Sequence, residues 1–285
     1  MAHSWRKARR QLFSFFYDAF GHGLLIVSIP KAGTHLLAQL INSVGFRPPD
    51  KYRTTLLEYY GWTDSFWPSD SENRIQNELK EVVDAITELR PRRYLLTHLL
   101  PAFEILRSIE AGNVRVIFIY RDPRAVVLSH VNHVLRRTDS KFHHFYTQVL
   151  QTQEERIELA IRGAASGQVD FPIYWLPDIR TYFQTYLPWR ECSKCLTVRF
   201  EDLIGPNGGG SSELQQATVA RILRHLRIPH RSEHVKRFAA CVFSASSPTF
   251  MKGQIDSWRT AFSDRNMASM MEIGCDLLAQ LGYEK

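Results

Sequence analysis

Residues 24–35 read LLIVSIPKAGTH, and this stretch decides the fold. Its first part is a short, continuous apolar run bounded by Gly23 and Pro30, which is typical of a central strand buried on both faces. Residues 34–44 then follow a helical period and end at Gly45, a residue suited to a left-handed helix end. A buried strand that turns sharply into a helix is the unit from which parallel α/β sheets are built.

The same alternation continues along the chain. Further strands are predicted at 93–97, 114–120 and 195–200, and helices at 72–90, after Pro101, from Pro123, at 141–165, at 178–189 and through most of the last third. We therefore predict an α/β fold in one domain spanning residues 1–285, with a central, mostly parallel sheet flanked by helices on both faces. Residues 205–212 (GPNGGGSS) are predicted to form a mobile surface loop, and 244–262 a long loop.

Composition limits the class of protein. The 285 residues carry a formal net charge of +7, which favours anionic partners. No apolar run approaches the roughly 18 to 20 residues of a spanning helix, so we expect no integral membrane segment. Four cysteines are too few for a disulfide framework at this length and fit a reducing, cytoplasmic compartment.

The first twenty residues imitate a signal peptide, but Asp18 interrupts their apolar stretch and no small-residue cleavage site follows. We predict an amphipathic helix over 1–20 whose Phe13, Phe16 and Phe20 pack on the domain. A weak peripheral contact with an anionic membrane stays open.

The first candidate site is the P-loop-like turn between the strand at 24–29 and the following helix. The free N–H groups and dipole of a first helical turn can hold a phosphate. Gly33 allows close backbone approach, Thr34 adds a hydroxyl and Lys31 adds a full charge. The turn is not a Walker A loop, because Lys31 precedes Gly33. A tight turn with a surface lysine is the alternative interpretation.

Two other strand ends carry candidate residues. Arg121 ends the strand at 114–120, and Ser129 lies eight positions later in the predicted helix, from which it could contact the same anion. His98 follows the strand at 93–97, where a neutral imidazole could act as a general base. A surface salt bridge for Arg121 and a structural role for His98 are the alternatives.

Together these three segments resemble the sulfotransferases that use 3′-phosphoadenosine 5′-phosphosulfate (PAPS). That family has a Pro-Lys-Ser-Gly-Thr-Thr-Trp loop, a Lys-Thr-His segment and an Arg-x7-Ser segment in this order. The resemblance implies that the loop residues bind the 5′-phosphosulfate, that Arg121 and Ser129 bind the 3′-phosphate, and that His98 is the base. The loop residues concerned are Lys31, Ala32, Gly33, Thr34 and His35.

Two later segments extend the resemblance. Residues 200–203 (FEDL) are similar to the family's Tyr-Glu-Asp segment, and 250–258 (FMKGQIDSW) to its Arg-Lys-Gly-x2-Gly-Asp-Trp loop. The second match implies that Met251, Lys252 and Gly253 reach the cofactor. Leu36 stands where the family has an adenine-stacking Trp, so Phe200 and Phe243 are the expected adenine contacts.

The clusters of basic, histidine and cysteine residues elsewhere in the chain predict no further binding site. Residues 6–10 and 90–93 are basic but lack the aromatic interleaving of a nucleic-acid module, so we interpret them as solvated faces and expect no nucleic-acid partner. No carboxylate or cysteine completes a metal site around His130, His133, His143 and His144, so no metal is expected. The single CxxC of Cys192 and Cys195 has no second ligand pair.

The sequence thus predicts sulfuryl transfer from PAPS to a hydroxyl or amine, releasing 3′-phosphoadenosine 5′-phosphate (PAP). Lys31 would stabilise the leaving group. The alternatives are a P-loop-type small-molecule kinase and a catalytically inactive nucleotide-binding module on the same fold. A small or medium-sized acceptor with apolar parts is expected between 52–67, 130–145 and 178–186. Glu58, Asp64 and Asp70 would suit a cationic acceptor or be ordinary surface carboxylates. The oligomeric state stays open.

Overall fold

The structure is a computed structural model that describes residues 21–49, 72–164, 176–243 and 254–283. Several predictions concern residues outside these ranges. They are the N-terminal helix at 1–20, the acceptor segment at 52–67, the carboxylates Glu58, Asp64 and Asp70, and the cofactor contacts Met251, Lys252 and Gly253.

The described strands form one sheet in which all neighbours are parallel. The strands are β1 (Gly23–Ser28), β2 (Tyr94–Thr97), β3 (Val114–Tyr120) and β4 (Cys195–Arg199), in the order β2-β1-β3-β4. The predicted α/β class and parallel sheet are confirmed. The strand at 114–120 has its predicted bounds, because both its apolar run and its flanking polar residues are local features.

The helices connect and cover these strands. They are α1 (Thr34–Ser43), α2 (Glu72–Thr87), α3 (Phe103–Ala111), α4 (Pro123–Arg136), α5 (Lys141–His144), α6 (Gln153–Arg162), α7 (Ile179–Gln184), α8 (Phe200–Ile204), α9 (Ser212–His225), α10 (Ser232–Ala240) and α11 (Asp264–Leu281). Shorter 3₁₀ turns lie at Leu187–Glu191, Pro206–Gly208 and Ser257–Thr260.

The sheet has a separate apolar core on each face. Alternate residues of β1 point to opposite sides: Leu25 and Val27 belong to one core, and Leu24 and Ile26 to the other. The first core packs against α2, α3, α4, α6 and α11, and the second against α1, α9 and α10. Each of these four side chains is 0% exposed, so β1 is buried on both faces as predicted.

Three predicted segments differ in detail. The helix predicted at 72–90 ends at Thr87, because Pro91 disfavours helical backbone just before it. The segment at 141–165 is divided by a π-helical turn at Phe145–Val149, and α6 then starts afresh from a capping box at Thr152. The Gly-rich segment at 205–212 contains the turn Pro206–Gly208 and the start of α9, and its mobility stays a prediction.

The topology brings the predicted site segments to one edge. The helix after β1 covers one face of the sheet, whereas the helix after β3 covers the other. A crevice therefore opens between the carboxyl ends of β1 and β3, the place where open α/β sheets bind ligands. The Lys31 loop, His98, Arg121 and Phe200 each follow one of the four parallel strands, so all begin at this edge.

Candidate active site

The turn after β1 has a strained backbone. Lys31 has φ 71° and Gly33 has φ 102°, so both lie in the left-handed region that favours glycine. The N–H of Ala32 donates to the Ile29 carbonyl at 3.0 Å, and the Ala32 side chain is fully buried. The Ala32 N–H is thus engaged within the loop, and the contact of Ala32 with the phosphosulfate stays a prediction. The open donors are those of the first turn of α1, which begins at Thr34.

Gly33 is required for a second reason besides its backbone angle. A Cβ atom built on Gly33 would lie 2.5 Å from Cδ2 of Phe200. The phenyl ring at the end of β4 thus packs directly on the phosphate loop of β1, although 167 residues separate them in sequence. Any side chain at position 33 would push the ring away and open the junction between the two segments.

A short hydrogen-bond chain joins this loop to His98. Nδ1 of His98 lies 2.8 Å from the Ser28 carbonyl oxygen and 3.1 Å from Ser28 Oγ. The hydroxyls of Ser28 and Thr34 share a hydrogen bond of 2.5 Å. No role for Ser28 could be predicted from the sequence, because contact with a residue 70 positions away leaves no local signal.

The Ser28 carbonyl determines which His98 nitrogen carries the proton. A carbonyl oxygen only accepts hydrogen bonds, so Nδ1 must be the donor and Nε2 keeps its lone pair in the neutral ring. Burial is the main cause that lowers the pKa of His98 to about 4; the Ser28 hydrogen bond opposes this shift, and nearby Lys31 and His35 add to it. The imidazole is therefore neutral at pH 7 and can accept a proton at Nε2.

Lys31 is close enough to His98 for its positive charge to lower the pKa of that imidazole. Burial lowers the pKa of Lys31 to about 8, and the positive charge of Arg137 adds to the effect. Burial and Lys31 also lower the pKa of His35, which lies in the first turn of α1. The positive charges of Lys31 and Arg137 repel each other, and Lys31 has lost part of its hydration. An anion bound beside Lys31 would offset the free-energy cost of the repulsion and of the lost hydration.

Arg121 is held at the end of β3 by contacts with two other segments. Its guanidinium carbon lies 4.2 Å from the centroid of the Phe200 ring, a cation–π distance, and Nη2 donates to the Gln254 carbonyl at 2.9 Å. Nε is buried without a hydrogen-bond partner among the described residues. Burial lowers the pKa of Arg121, whereas Glu201 and Asp122 oppose this shift. The guanidinium thus stays charged and retains an unused donor.

Phe200 therefore joins the two candidate phosphate-binding segments. The ring is 4% exposed and packs against Gly33 and Arg121. Its expected contact with adenine stays a prediction, and the structure adds this connecting role. The contacts of the Phe200 ring could not be read from position 200 alone, because they come from the segments that follow β1 and β3.

The late loop meets the same site where its described part begins. Besides the carbonyl contact with Arg121, the Gln254 side chain donates to the Asn207 carbonyl at 3.0 Å, and the Ile255 N–H donates to the Gly208 carbonyl at 3.0 Å. The Gly-rich turn thus anchors the end of this loop. Gly253 and Lys252, which directly precede Gln254 in sequence, lie outside the described residues, and their contact with the cofactor stays a prediction.

The carboxylates near the crevice are already engaged. Asp122 caps α4 and forms a buried ion pair with Arg124 at 2.8 Å. Glu201 accepts from the Asp122 N–H at 3.0 Å and from the Tyr283 hydroxyl at 2.5 Å. Burial raises the pKa of Glu201, while these hydrogen bonds lower it. Both groups brace the turn after β3, so neither presents free oxygens to a metal.

This turn also borders an open cleft. The cleft has a volume of about 420 Å³ and is lined by Asp122, Arg124, Arg199, Glu201, Ile255, Asp256, Gly282 and Tyr283. Its walls come from the ends of β3 and β4, the late loop and the residues after α11.

Two other residues predicted to contact the cofactor lie in described parts of the chain. Ser129 is partly exposed in the second turn of α4, and Phe243 is partly buried just after α10. The 3′-phosphate contact of Ser129 and the adenine contact of Phe243 stay predictions.

The predicted acceptor segments at 130–145 and 178–186 form aromatic clusters. The rings of His130, Phe142 and Tyr146 make edge contacts at 5.9 to 6.3 Å. Tyr182 contacts Tyr186 in the same way at 5.5 Å between centroids. These clusters belong to the core on the α4 side of the sheet, so much of their apolar surface packs internally.

The described ranges, 21–49, 72–164, 176–243 and 254–283, contain neither a candidate metal cluster nor a candidate membrane span. No group of three His, Cys, Asp or Glu side chains there is placed to hold a metal ion. In the same residues no helix is both long and apolar enough to cross a bilayer.

Comparison with known proteins identifies the family. The family model described as the sulfotransferase domain matches residues 22–282. Among solved structures, the mouse sulfotransferase SULT7A1 complexed with PAP is 17% identical, with a TM-score of 0.57 over 92% of this chain and 88% of that chain. A retinol dehydratase in complex with androsterone and the inactive cofactor PAP is 15% identical, with a TM-score of 0.57 over 90% of this chain and 80% of its own. No curated protein matches the sequence.

Proposed function

Because the chain belongs to the sulfotransferase family and is thus a PAPS-dependent enzyme, we propose that it sulfates a hydroxyl or amine of a small or medium-sized acceptor, using His98 as the base and Lys31 at the leaving group. The observation that carries this proposal is the hydrogen bond from His98 Nδ1 to the Ser28 carbonyl at 2.8 Å. It leaves Nε2 as the basic nitrogen of a histidine that is hydrogen-bonded to the last residue of β1, just before the phosphate loop that contains Lys31.

The chemistry needs one proton acceptor and one stabilising cation. The acceptor oxygen or nitrogen attacks the sulfur of PAPS, the bond from sulfur to the bridging phosphate oxygen breaks, and PAP leaves. His98 Nε2 takes the proton from the acceptor. The Lys31 ammonium and the first-turn N–H groups of α1 balance the charge that grows on the departing phosphate.

The hydrogen-bond chain also supports a role for Thr34. If Nδ1 of His98 donates to Ser28, the Ser28 hydroxyl is free to donate to Thr34 Oγ1. The hydroxyl hydrogen of Thr34 then remains available for the phosphosulfate. The same set of bonds would thus orient the base and one donor to the cofactor.

The kinase alternative fits the carboxylates less well. A kinase needs acidic oxygens for Mg²⁺ beside the transferred phosphate. Asp122 is paired with Arg124, and Glu201 accepts from Asp122 and Tyr283, so the acidic groups at this edge already have partners. Thermal unfolding with PAP, compared with ATP and Mg²⁺, discriminates the two activities. The specific ligand at 100 times its dissociation constant adds roughly 2.7 kcal/mol.

The test of the base is His98→Ala. We expect the variant to bind PAP nearly as the parent does, because among the described residues the hydrogen bonds of the His98 side chain go to Ser28. Transfer of labelled sulfate from PAPS to a panel of phenols, alcohols and amines should fall by roughly two to four orders of magnitude. Turnover within tenfold of the parent would remove His98 from the mechanism. A parent protein that binds PAP but transfers to none of the panel would favour the inactive nucleotide-binding module.

The chain's cysteines support a reducing, cytoplasmic location. All four, Cys192, Cys195, Cys241 and Cys275, are free. The Cys195 thiol also has its pKa raised to about 12 by burial, so it is a weak nucleophile for disulfide exchange.

A further inference from the structure

Tyr283 lies just after α11 and is held against the ends of β3 and β4. Its N–H donates to the Leu278 carbonyl at 2.8 Å, and its own carbonyl accepts from Arg124 Nη2 at 3.0 Å. Its ring lies 4.3 Å from the guanidinium carbon of Arg199 and makes an edge contact with Tyr120 at 6.3 Å between centroids. The residue is 7% exposed, so contacts with α4, β3 and β4 fix the position of its side chain.

The hydroxyl of Tyr283 occupies one of the two oxygens of Glu201. Oε2 of Glu201 accepts from the Tyr283 hydroxyl at 2.5 Å, and Oε1 accepts from the Asp122 N–H at 3.0 Å. Burial raises the pKa of Tyr283, and the negative charge of Glu201 raises it further, so the hydroxyl keeps its proton and remains the donor. Both oxygens of this partly buried carboxylate are thus engaged by the turn after β3 and the segment after α11.

Arg121 lies near Glu201 but is not paired with it. Burial lowers the pKa of Arg121, and the charge of Glu201 is the largest effect that opposes this shift. Within the described ranges the two side chains nevertheless form no ion pair, and Nε of Arg121 is buried there without a hydrogen-bond partner. The guanidinium instead stacks on Phe200 and donates to the Gln254 carbonyl. An unused donor is therefore kept beside a carboxylate that is bound elsewhere.

Loss of the Tyr283 hydroxyl would change this balance of charges. A carboxylate oxygen that is withdrawn from water and has no donor is costly, so it pairs with a donor within reach. Arg121 offers such a donor together with a full positive charge. A pair between Glu201 and Arg121 would neutralise the cation that the predicted contact with the 3′-phosphate requires.

We infer that Tyr283 is a positioning residue that keeps Glu201 away from Arg121 and so leaves Arg121 available for the 3′-phosphate of the cofactor. The inference rests on the proposed function, in particular on the predicted contact of Arg121 with that phosphate. Tyr283 acts through Glu201 and not by touching the nucleotide. It therefore determines the preference for nucleotides that carry a 3′-phosphate.

The experiment compares PAP with adenosine 5′-monophosphate (AMP), because the two nucleotides differ only by the 3′-phosphate. Their association constants with the full chain are measured by calorimetric titration at one salt concentration. Tyr283→Phe removes the hydroxyl and keeps the ring. We expect the ratio of the PAP constant to the AMP constant to fall about 3- to 30-fold, since PAP alone loses affinity. Thermal unfolding verifies that each variant is folded.

A second substitution tests whether Glu201 carries the effect. Glu201→Gln keeps an oxygen that can accept from the Asp122 N–H but has no charge to pair with Arg121. When Tyr283→Phe is added to Glu201→Gln, the ratio should stay within about twofold of that of Glu201→Gln alone. A loss caused by general loosening of the turn after β3 would persist in this background.

The matched control removes a tyrosine hydroxyl at the opposite edge of the sheet. Tyr94 is the first residue of β2, is 4% exposed, and donates from its hydroxyl to Asn42 Oδ1 at 3.1 Å. Tyr94→Phe thus also removes one hydrogen bond of a buried tyrosine. It should leave the ratio of the two association constants within about twofold of the parent.

Four results would overturn the inference. They are an unchanged ratio in Tyr283→Phe, equal losses for PAP and AMP in that variant, the same fall of the ratio in the Glu201→Gln background, and an equal fall in Tyr94→Phe. Arg121→Ala separates this inference from the proposed function. If Arg121→Ala weakens both nucleotides equally, the 3′-phosphate assignment is wrong and this inference is overturned with it. A selective loss of PAP in Arg121→Ala without one in Tyr283→Phe overturns this inference alone.

Discussion

Arg121 provides the sharpest test of how this enzyme would distinguish PAPS from other adenine nucleotides. PAP and adenosine 5′-phosphosulfate share adenosine and a 5′-anion, but only PAP carries a 3′-phosphate. The Arg121 guanidinium is fixed by the Phe200 ring at 4.2 Å and the Gln254 carbonyl at 2.9 Å, and its Nε has no hydrogen-bond partner among the described residues. It is therefore preorganised with one donor unused.

The magnitude follows from the kind of bond that is lost. A hydrogen bond to a charged group contributes roughly 1.5 to 3 kcal/mol, so Arg121→Ala should weaken PAP about 10- to 150-fold. Binding of adenosine 5′-phosphosulfate should hardly change. Arg121→Lys keeps the charge but loses the planar fork and the stacking on Phe200, so its affinity for PAP should lie between those of the parent and the alanine variant.

The assay is calorimetric titration of both nucleotides at one fixed salt concentration, with thermal unfolding to verify that each variant is folded. Arg180→Ala is the control, because it removes an exposed positive charge that pairs with Asp276 far from the crevice. Equal losses for both nucleotides in Arg121→Ala would refute the reasoning. Arg121 would then only support the packing of Phe200.

Four other predictions address β1, the loop that follows it and His22, which precedes it. The pKa of Lys31 is about 8, so kcat/KM should fall as pH rises through 8 and the ammonium is lost, and Lys31→Arg should abolish this fall in a pH-rate profile. Gly33→Ala should lower the free energy of unfolding by roughly 1 to 3 kcal/mol in urea titrations and weaken the binding of PAP, because the new Cβ would clash with Phe200 at a position of left-handed backbone. An unchanged midpoint of urea unfolding would contradict this contact. Ser28→Ala should lower the free energy of unfolding by about 1 to 3 kcal/mol but change kcat less than tenfold, since the main-chain carbonyl still orients His98. A larger loss of turnover would show that the Ser28 hydroxyl orients the base instead. Burial lowers the pKa of His22 to about 4 in the native state, against 6.5 in the unfolded chain. The unfolded chain therefore binds the extra proton, and the free energy of unfolding falls as pH decreases from 6.5 to 4. His22→Asn should reduce that fall by about 3 kcal/mol in denaturant titrations across this window, and an identical pH dependence would refute the burial effect.

The amino-acid sequence by itself determined the sheet and the position of its reactive ends. The run at 114–120 predicts β3 with its bounds, because strand formation follows from contiguous apolar residues and flanking turns. The Lys31 loop, His98 and Arg121 each follow a predicted strand. Parallel strands bring such ends to one edge, so their common location followed from fold class.

Only the tertiary structure decided how the side chains at that edge interact. The placement of the Phe200 ring between Gly33 and Arg121 depends on β4 lying beside β3 and β3 beside β1, an order that the local pattern does not encode. The internal hydrogen bond of the Ala32 N–H likewise depends on the left-handed backbone at Lys31 and Gly33.

The basic residues near the amino ends of the strands illustrate the same limit. In sequence, Arg115 and Arg227 lie 112 residues apart. In the folded protein β3, which carries Arg115, lies beside β1, and both arginines add to the effect of burial in lowering the pKa of His22, which directly precedes β1. Backbone periodicity is a local property of the chain, whereas electrostatic interaction depends on distances between segments that only the folded sheet determines.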